Sequence, residues 1–222
     1  MPIDPVKQIE QAVLGSNRLV YLLSPEEDRI VRLLKEVAAR HVNGSVYTWS
    51  ALEGIRSERG DEVPAVREPV DAIQAAQNWA HPAFFIFRDL HFSFDNPMVL
   101  RALREFALSP ANHSTYLFIL SPEMNVPASL QKELFLVEVP PPDEDAIYAQ
   151  LQAGLNEFPE ADLEERDVQE LVLALKGLTS SDIDHILRRT FRSGGMTKSD
   201  LLDNVFTEKE LIVRKSGYLE YT

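Results

Sequence analysis

Two apolar runs end in residue types that could do chemistry, in positions where α/β proteins keep their sites. The first is "LVYLLSPEEDRIVRLLKEV" (19–37), an apolar strand, a tight turn and a helix, the layout that cradles phosphate. Such a cradle works through free backbone N–H groups, glycines that let the backbone approach, a lysine for the β/γ phosphates and a Ser or Thr for magnesium. No glycine stands between Gly15 and Gly44, and the first lysine after the strand is Lys35, well inside the helix. The turn, Ser24-Pro25-Glu26-Glu27-Asp28, is also too short to wrap a triphosphate. Each carboxylate at a helix start stabilises the helix by about 0.3–1 kcal/mol and repels a phosphate placed there. The residues therefore predict a turn that serves its own helix, with Pro25 at the first helical position. No bound cofactor and no metal are expected at it.

The second run, "FFIFRDLH", ends in Arg88-Asp89, where a strand serving a bound Mg-nucleotide would end in Asp-Glu for metal and water. Two readings stand. Arg88 pairs with Asp89 or with Glu26 and so replaces metal and phosphate by an internal ion pair, or both residues simply face solvent. Ser121 precedes Pro122 and reads as a turn cap; the family resemblance given below also places it near a position where a polar group orients water. The five histidines (41, 81, 91, 113, 185) make no i, i+4 pair with a glutamate between, so no zinc motif is present. His91, near Asp89, has no G-x-S-x-G or activated serine beside it and reads as structural. Phe84, Phe85, Phe87, Phe92 and Phe94 read as core and hinge packing.

The elements that must hold these residues emerge from periodicity. Residues 4–16 predict a short amphipathic helix with Val6, Ile9, Val13 and Leu14 on one face. Strands are predicted at 18–23, 45–49, 83–87, 114–120 and in "LFLVEV" near 134–138, with helices at about 26–41, 69–80, 96–108 and 127–132. The stretch 51–68 is charged and reads as a loop. Five short apolar strands alternating with helices argue for a parallel sheet flanked by helices. Pro140-Pro141-Pro142 closes that pattern. The rest of the chain is helical, at 143–157, 163–176, 180–192 and 198–214, with Gly177 and Gly194-Gly195 as breaks and capping boxes at "TSSD" (179–182) and "TKSD" (197–200).

Composition is that of a globular chain: 222 residues, 45% hydrophobic, 26% charged, no cysteine, net charge −13. An acidic surface gives no counterion-release term, so nucleic acid is not an expected partner. No apolar run reaches membrane-spanning length, and the N-terminus lacks a signal-peptide layout. The expected compartment is cytoplasmic; the plastid stroma is the alternative implied by the family resemblance given below. From Asp143 to Glu170 ten acids face one base, Arg166. That stretch is a solvated face or a docking surface for a basic protein partner. His185, Arg188, Arg189 and Arg192 line the helix at 180–192, as a solvated face or in contact with the acidic stretch or with a neighbouring subunit.

An α/β core, a proline-marked hinge and a small helical bundle resemble the AAA+ ATPase module. "EVPPPDEDAI" is similar to the passage at which AAA proteins leave the last core strand for the lid. "GLTSSDIDHILRRT" is similar to the lid segment G-[YF]-[ST]-G-A-D-[IL], and "YLFILSPEMNVPASLQKELFLVEV" is laid out like the sensor-1 strand, short helix and last strand. "LLSPEEDRIVRLLKEVA", "FFIFRDLHFSFDNPMVLRALREFA", "FILSPEMNVPASLQKEL" and "LIVRKSGYLEYT" together resemble the N-terminal half of the AAA-like family first described as a conserved chloroplast reading frame, found in algal plastids and cyanobacteria. The resemblance implies a degenerate AAA-like core at 1–140, a helical lid at 141–214, and a connector from 215 to an intact second AAA domain beyond Thr222. That second domain would hold ATP and Mg²⁺. The vestigial site positions are then Ser24, Glu26, Glu27, Asp28, Arg88, Asp89 and Ser121, and Gln131, Lys132 and Glu133 stand where AAA proteins present arginines to a neighbour. The implied role is a non-catalytic scaffold that orders or regulates an active AAA domain in a homo-oligomer, linked to photosynthetic carbon acquisition. Two other readings stay open: ATP binding or hydrolysis through an atypical site, and a clamp-loader-like subunit.

Overall fold

The computed structural model describes residues 4–60, 63, 65–109, 114–157, 164–192 and 198–219. The chain divides into two compact units, Met1–Pro140 and Pro141–Thr222, and each has its own core.

The first unit runs α1 (Pro5–Leu14), β1 (Leu19–Leu23), α2 (Glu27–His41), β2 (Ser45–Ser50), β3 (Gly54–Ser57), α3 (Pro69–Gln77), β4 (Ala83–Arg88), α4 (Pro97–Leu108), β5 (Thr115–Ser121) and β6 (Phe135–Glu138). Its sheet has the order β3-β2-β4-β5-β1-β6, and every pairing is parallel except β2 with β3. Side chains alternate across a strand, so each strand feeds two cores. Leu19, Tyr21, Phe85, Phe87, Leu117 and Ile119 join the core that includes α3 and α4 residues. Val20, Leu22, Phe84, Ile86, Phe118 and Leu120 join the one with α1 and α2 residues. Strands covered on both faces read as continuous apolar runs, which is why "AFFIF" does.

The sheet has six strands where the sequence predicts five. The sixth, β3, lies in the charged stretch read as a loop. It buries one apolar side chain, Ile55, opposite Trp49, so no alternation is there to read. Gly54 (φ +72°) starts it, and a Cβ there would come 2.8 Å from the Val66 carbonyl oxygen. The helix expected near 127–132 is instead a pair of turns, with Leu130 N–H donating to Pro127 O and Glu133 N–H to Leu130 O. Only Leu130 in that segment is fully buried, so it has no helical apolar face. Pro25 lies outside α2, which begins at Glu27 with Glu26 as N-cap. Leu14 points to solvent and Ala12 takes its place in the core.

At the end of the sheet where β1 and β5 begin, Arg18 is buried. It donates to Thr115 O (3.1 Å), Phe106 O (3.1 Å) and Ser109 O (3.0 Å), and lies 4.4 Å from the Phe106 ring centroid. It thus satisfies carbonyls at the C-terminal end of α4. Burial lowers its pKa, with Tyr116 opposing. The buried Tyr116 hydroxyl donates to Val13 O (2.9 Å), and burial pushes its pKa up.

The second unit is four helices, α5 (Glu144–Glu157), α6 (Glu165–Leu175), α7 (Ser180–Arg192) and α8 (Lys198–Leu219), around Ile147, Leu151, Leu171, Ile183, Leu201 and Val205. The box at 179–182 forms: Asp182 N–H donates to Thr179 Oγ1 (3.1 Å), and Thr179 N–H to Asp182 Oδ2 (3.2 Å). Another, Glu164 with Asp167, caps α6. Gly177 takes φ +84° just past α6, the left-handed conformation that favours glycine. The second expected box begins at Thr197, and the Gly194-Gly195 break falls beside it. Both lie outside the described residues. Helix α8 continues to Leu219, through the first residues of the expected connector.

Candidate functional site

Three residues, 24–26, join β1 to α2. β1 lies beside β5, and their onward connections leave in opposite directions, to β2 on one side and to β6 on the other. Such a reversal opens a crevice at the carboxyl ends of the strands. Here the crevice is closed by the chain's own polar groups. Ser24 N–H donates to Ser121 O (2.9 Å), and Glu26 N–H donates to Ser24 Oγ (3.2 Å). Two of the amides a phosphate would need are therefore already used.

The side chains complete the closure. Glu26 is buried, its side chain 4% exposed, and its Oε2 lies 2.6 Å from Arg29 Nη1. The same nitrogen donates to Pro140 O (2.8 Å), just past β6. A carboxylate stands in the cradle, and the neighbouring cation is spent on it. A carboxylate about 4 Å from a phosphate charge repels it by about 1–4 kcal/mol per unit charge at ordinary protein screening. Lys35 lies about 12 Å along the helix from its first residue and pairs with Glu58 (2.8 Å).

Arg88 forms an internal ion pair, but its partner is neither Asp89 nor Glu26. Its Nε lies 3.1 Å from Glu27 Oε2, without the alignment of a hydrogen bond. Glu26 is turned to Arg29, which leaves Glu27, half-buried on the next position, to face the end of β4. Asp89 is exposed and left-handed (φ +56°), its N–H donating to Leu120 O (3.0 Å). Asp28 is exposed in the first turn of α2. Ser121 is fully buried and caps a turn: its Oγ donates to Glu123 O (2.8 Å) and accepts from Glu123 N–H (3.2 Å). The structure thus brings Ser24, Glu26, Glu27, Arg88 and Ser121 to one end of the sheet. Sequence reasoning missed Arg29, whose signal was its i, i+3 spacing from Glu26.

The remaining candidates disperse. Gln131 and Lys132 are exposed, and Glu133 pairs with Arg104 (3.3 Å). Ser180 and Ser181 open α7, and His185 and Arg188 are exposed on it. Arg189 pairs with Glu208 of α8 (2.9 Å), outside the acidic 143–170 stretch; the Arg192 side chain lies outside the described residues, as do residues 158–163 of that stretch. Of the acids that are described there, Asp143, Glu144, Asp145, Glu164 and Glu165 are exposed. His41 pairs with Glu10 (3.2 Å), His81 is exposed, and His113 lies outside the described residues. Among the described residues no group of three His, Cys, Asp or Glu could hold a metal ion.

His91 is buried, with Nε2 3.1 Å from Glu123 Oε1. One expected core aromatic is not in the core: Phe92 is 73% exposed, whereas Phe84, Phe85, Phe87 and Phe94 are buried. The 3₁₀ turn Leu90–Ser93 turns Leu90 and His91 inward and Phe92 out.

A helix-flanked, mostly parallel sheet followed in the chain by a four-helix unit has the layout of an AAA-type module. The comparisons agree. Residues 6–139 match the model described as SpoVK-like AAA ATPase, N-terminal domain, and residues 145–216 that of the second domain. The chain belongs to this SpoVK-like AAA ATPase family. It is 25% identical over 218 residues to the uncharacterized AAA domain-containing protein ycf46 of Guillardia theta, covering 97% of this chain and 43% of the relative. To the ycf46 protein of Gracilaria tenuistipitata var. liui it is 23% identical, over 92% of this chain and 42% of the relative. The chain thus spans under half the length of these relatives. In fold it is similar to C. elegans PCH-2 (TM-score 0.57, 11% identity, 92% of this chain and 64% of that one). It is likewise similar to a chain of the E. coli MS115-1 HORMA:CdnC:Trip13 complex (TM-score 0.57, 14% identity, 85% and 73%). No helix among the described residues is long and apolar enough to cross a membrane.

Proposed function

We propose that this chain is a non-catalytic AAA-like domain that packs against, orders or regulates an adjacent active AAA ATPase module, within a homo-oligomer of the full-length protein. The observation that carries the reading is Glu26: a buried carboxylate, paired with Arg29, fills the turn that would receive phosphate. The use of Ser24 N–H by Ser121 O supports it, because restoring a lysine would not restore the donors. The span of the chain supports it too, since more than half of each relative lies outside the matched region and has room for a complete AAA module. ATP and Mg²⁺ belong, in this reading, to that other module. Isothermal titration of the 222-residue protein with Mg-ATP tests it. No heat of binding is expected, and a dissociation constant tighter than about 10 μM, about 7 kcal/mol of binding, overturns the reading.

A further inference from the structure

The carboxyl end of β4 inverts the usual order of burial. Phe92 is 73% exposed while its neighbour His91 is buried, and neither His91 ring nitrogen makes an aligned hydrogen bond. The two rings lie against each other with centroids 4.1 Å apart. Leaving a phenylalanine in water is unfavourable, and the buried imidazole has only its 3.1 Å approach to Glu123 in place of an aligned hydrogen bond. Local inconsistency of this kind marks surfaces kept for another purpose.

The surroundings specify that purpose. His91 touches Glu123, and the next residue, Met124, is 52% exposed; Met98, in the first turn of α4, is 61% exposed. Phe92 is linked to Met124 through His91 and Glu123, and Met98 follows six residues after Phe92; exposed methionine adapts to varied apolar side chains. The charged residues around it are Asp89, Asp95 and Glu123, all exposed. The nearby bases are already engaged, Arg88 with Glu27 and Arg101 with Glu105 (2.7 Å). Apolar anchors inside an acidic rim complement a basic partner carrying a bulky apolar residue.

We infer that Phe92, Met124 and Met98 form a docking surface for a protein segment in which a large apolar side chain is flanked by lysine or arginine. The apolar residue lies on Phe92 and Met124, and the flanking bases pair with Asp89, Asp95 and Glu123. This surface lies on the loops after β4 and β5 and the first turn of α4, at the same end of the sheet as the closed turn at Glu26, and it does not depend on whether that turn ever binds nucleotide.

The test uses the 222-residue protein and fluorescein-labelled peptides of about 14 residues. One is built from Leu and Lys, the other from Ser and Lys with the same charge, and binding is read by anisotropy in about 0.15 M salt. The Leu-Lys peptide is expected to bind, and to bind about tenfold or more weakly to the Phe92→Ser/Met124→Ser double variant and to Glu123→Lys. The control Glu144→Gln/Glu165→Gln should bind it as wild type does. Equal binding to wild type and to the double variant overturns the inference, as does an equal loss in the control, since either means general attraction to an acidic protein. A wild-type dimer in sedimentation that Phe92→Ser abolishes also overturns it, because a second copy then covers the patch. Should a variant unfold, amide exchange of wild type decides. Protection at 89–98 and 121–126 on adding the Leu-Lys peptide supports the inference, and its absence there overturns it.

Discussion

Glu26 and Glu27 are adjacent acids with different fates, and the difference is burial. Glu26 has a 4% exposed side chain against Arg29, whereas Glu27, 44% exposed, meets Arg88 at the rim. Breaking a buried pair strands a charge, whereas exposed pairs contribute little. Glu26→Ala is therefore expected to lower stability by about 1–3 kcal/mol, with part of the penalty relieved because Arg29 still reaches Pro140 O and water. Arg88→Ala should cost less than about 1 kcal/mol. Urea unfolding of both variants checks this, and equal losses would show that Glu26 is not a buried charge in need of its partner. At this scale the sequence is a good guide to composition and a poor one to pairing. That acids replace a phosphate-binding turn is plain from the absence of glycine and lysine. Which acid meets which arginine depends on side-chain direction at the end of a sheet, and that is fixed only in three dimensions. Phe92 is illegible for the same reason: five phenylalanines in the eleven residues 84–94 suggest one core, and nothing in their order says which is turned out.

Among the elements, the central strands are legible because both faces are covered and their apolar runs are unbroken. β3 and the turns at 127–133 are not, each being held by one buried side chain, Ile55 or Leu130, and not by a repeating pattern. Helix α1 shows how a peripheral element is secured. Tyr116 of β5 reaches across to Val13 O in its last turn, and Glu10 accepts Arg40 of α2 (2.8 Å). Burial raises the Tyr116 pKa, with Arg18 opposing more weakly, so the folded chain holds a proton that the unfolded chain gives up. Stability from this group is complete below the ordinary phenol value of about 10 and falls as pH rises from there toward the raised folded value. Tyr116→Phe should cost about 0.5–1.5 kcal/mol at neutral pH through the lost hydrogen bond. It should also lose less stability than wild type between about pH 8 and pH 10.5, because one linked proton is gone. Urea midpoints of the two proteins at both pH values check the sign. Parallel losses would mean that the phenol is not titrating in the unfolded chain alone.

At the scale of the whole molecule, the proline run at 140–142 separates two self-sufficient cores. The α/β unit buries both faces of its sheet under its own helices, and the α5–α8 unit buries Ile147, Leu171, Ile183 and Val205 among its own four. The ends are secured locally as well. Arg29 holds the Pro140 carbonyl within the first unit, and Asp143 Oδ1 accepts Ala146 N–H (2.9 Å) at the start of α5. A cut between Pro142 and Asp143 breaks neither contact and leaves Pro140 O an amide carbonyl. Fragments 1–142 and 143–222 are therefore expected each to fold alone, the first with a mixed α/β far-ultraviolet spectrum and the second with a helical one, and each to melt cooperatively. The second, with about 80 residues and a single core, should be the less stable, since small domains bury a smaller share of their surface. Separate expression and thermal melts decide it. An unfolded 143–222 fragment beside a folded 1–142 would mean that the helical unit needs a partner surface to fold, and that its exposed Leu173 and Phe206 belong to an interface.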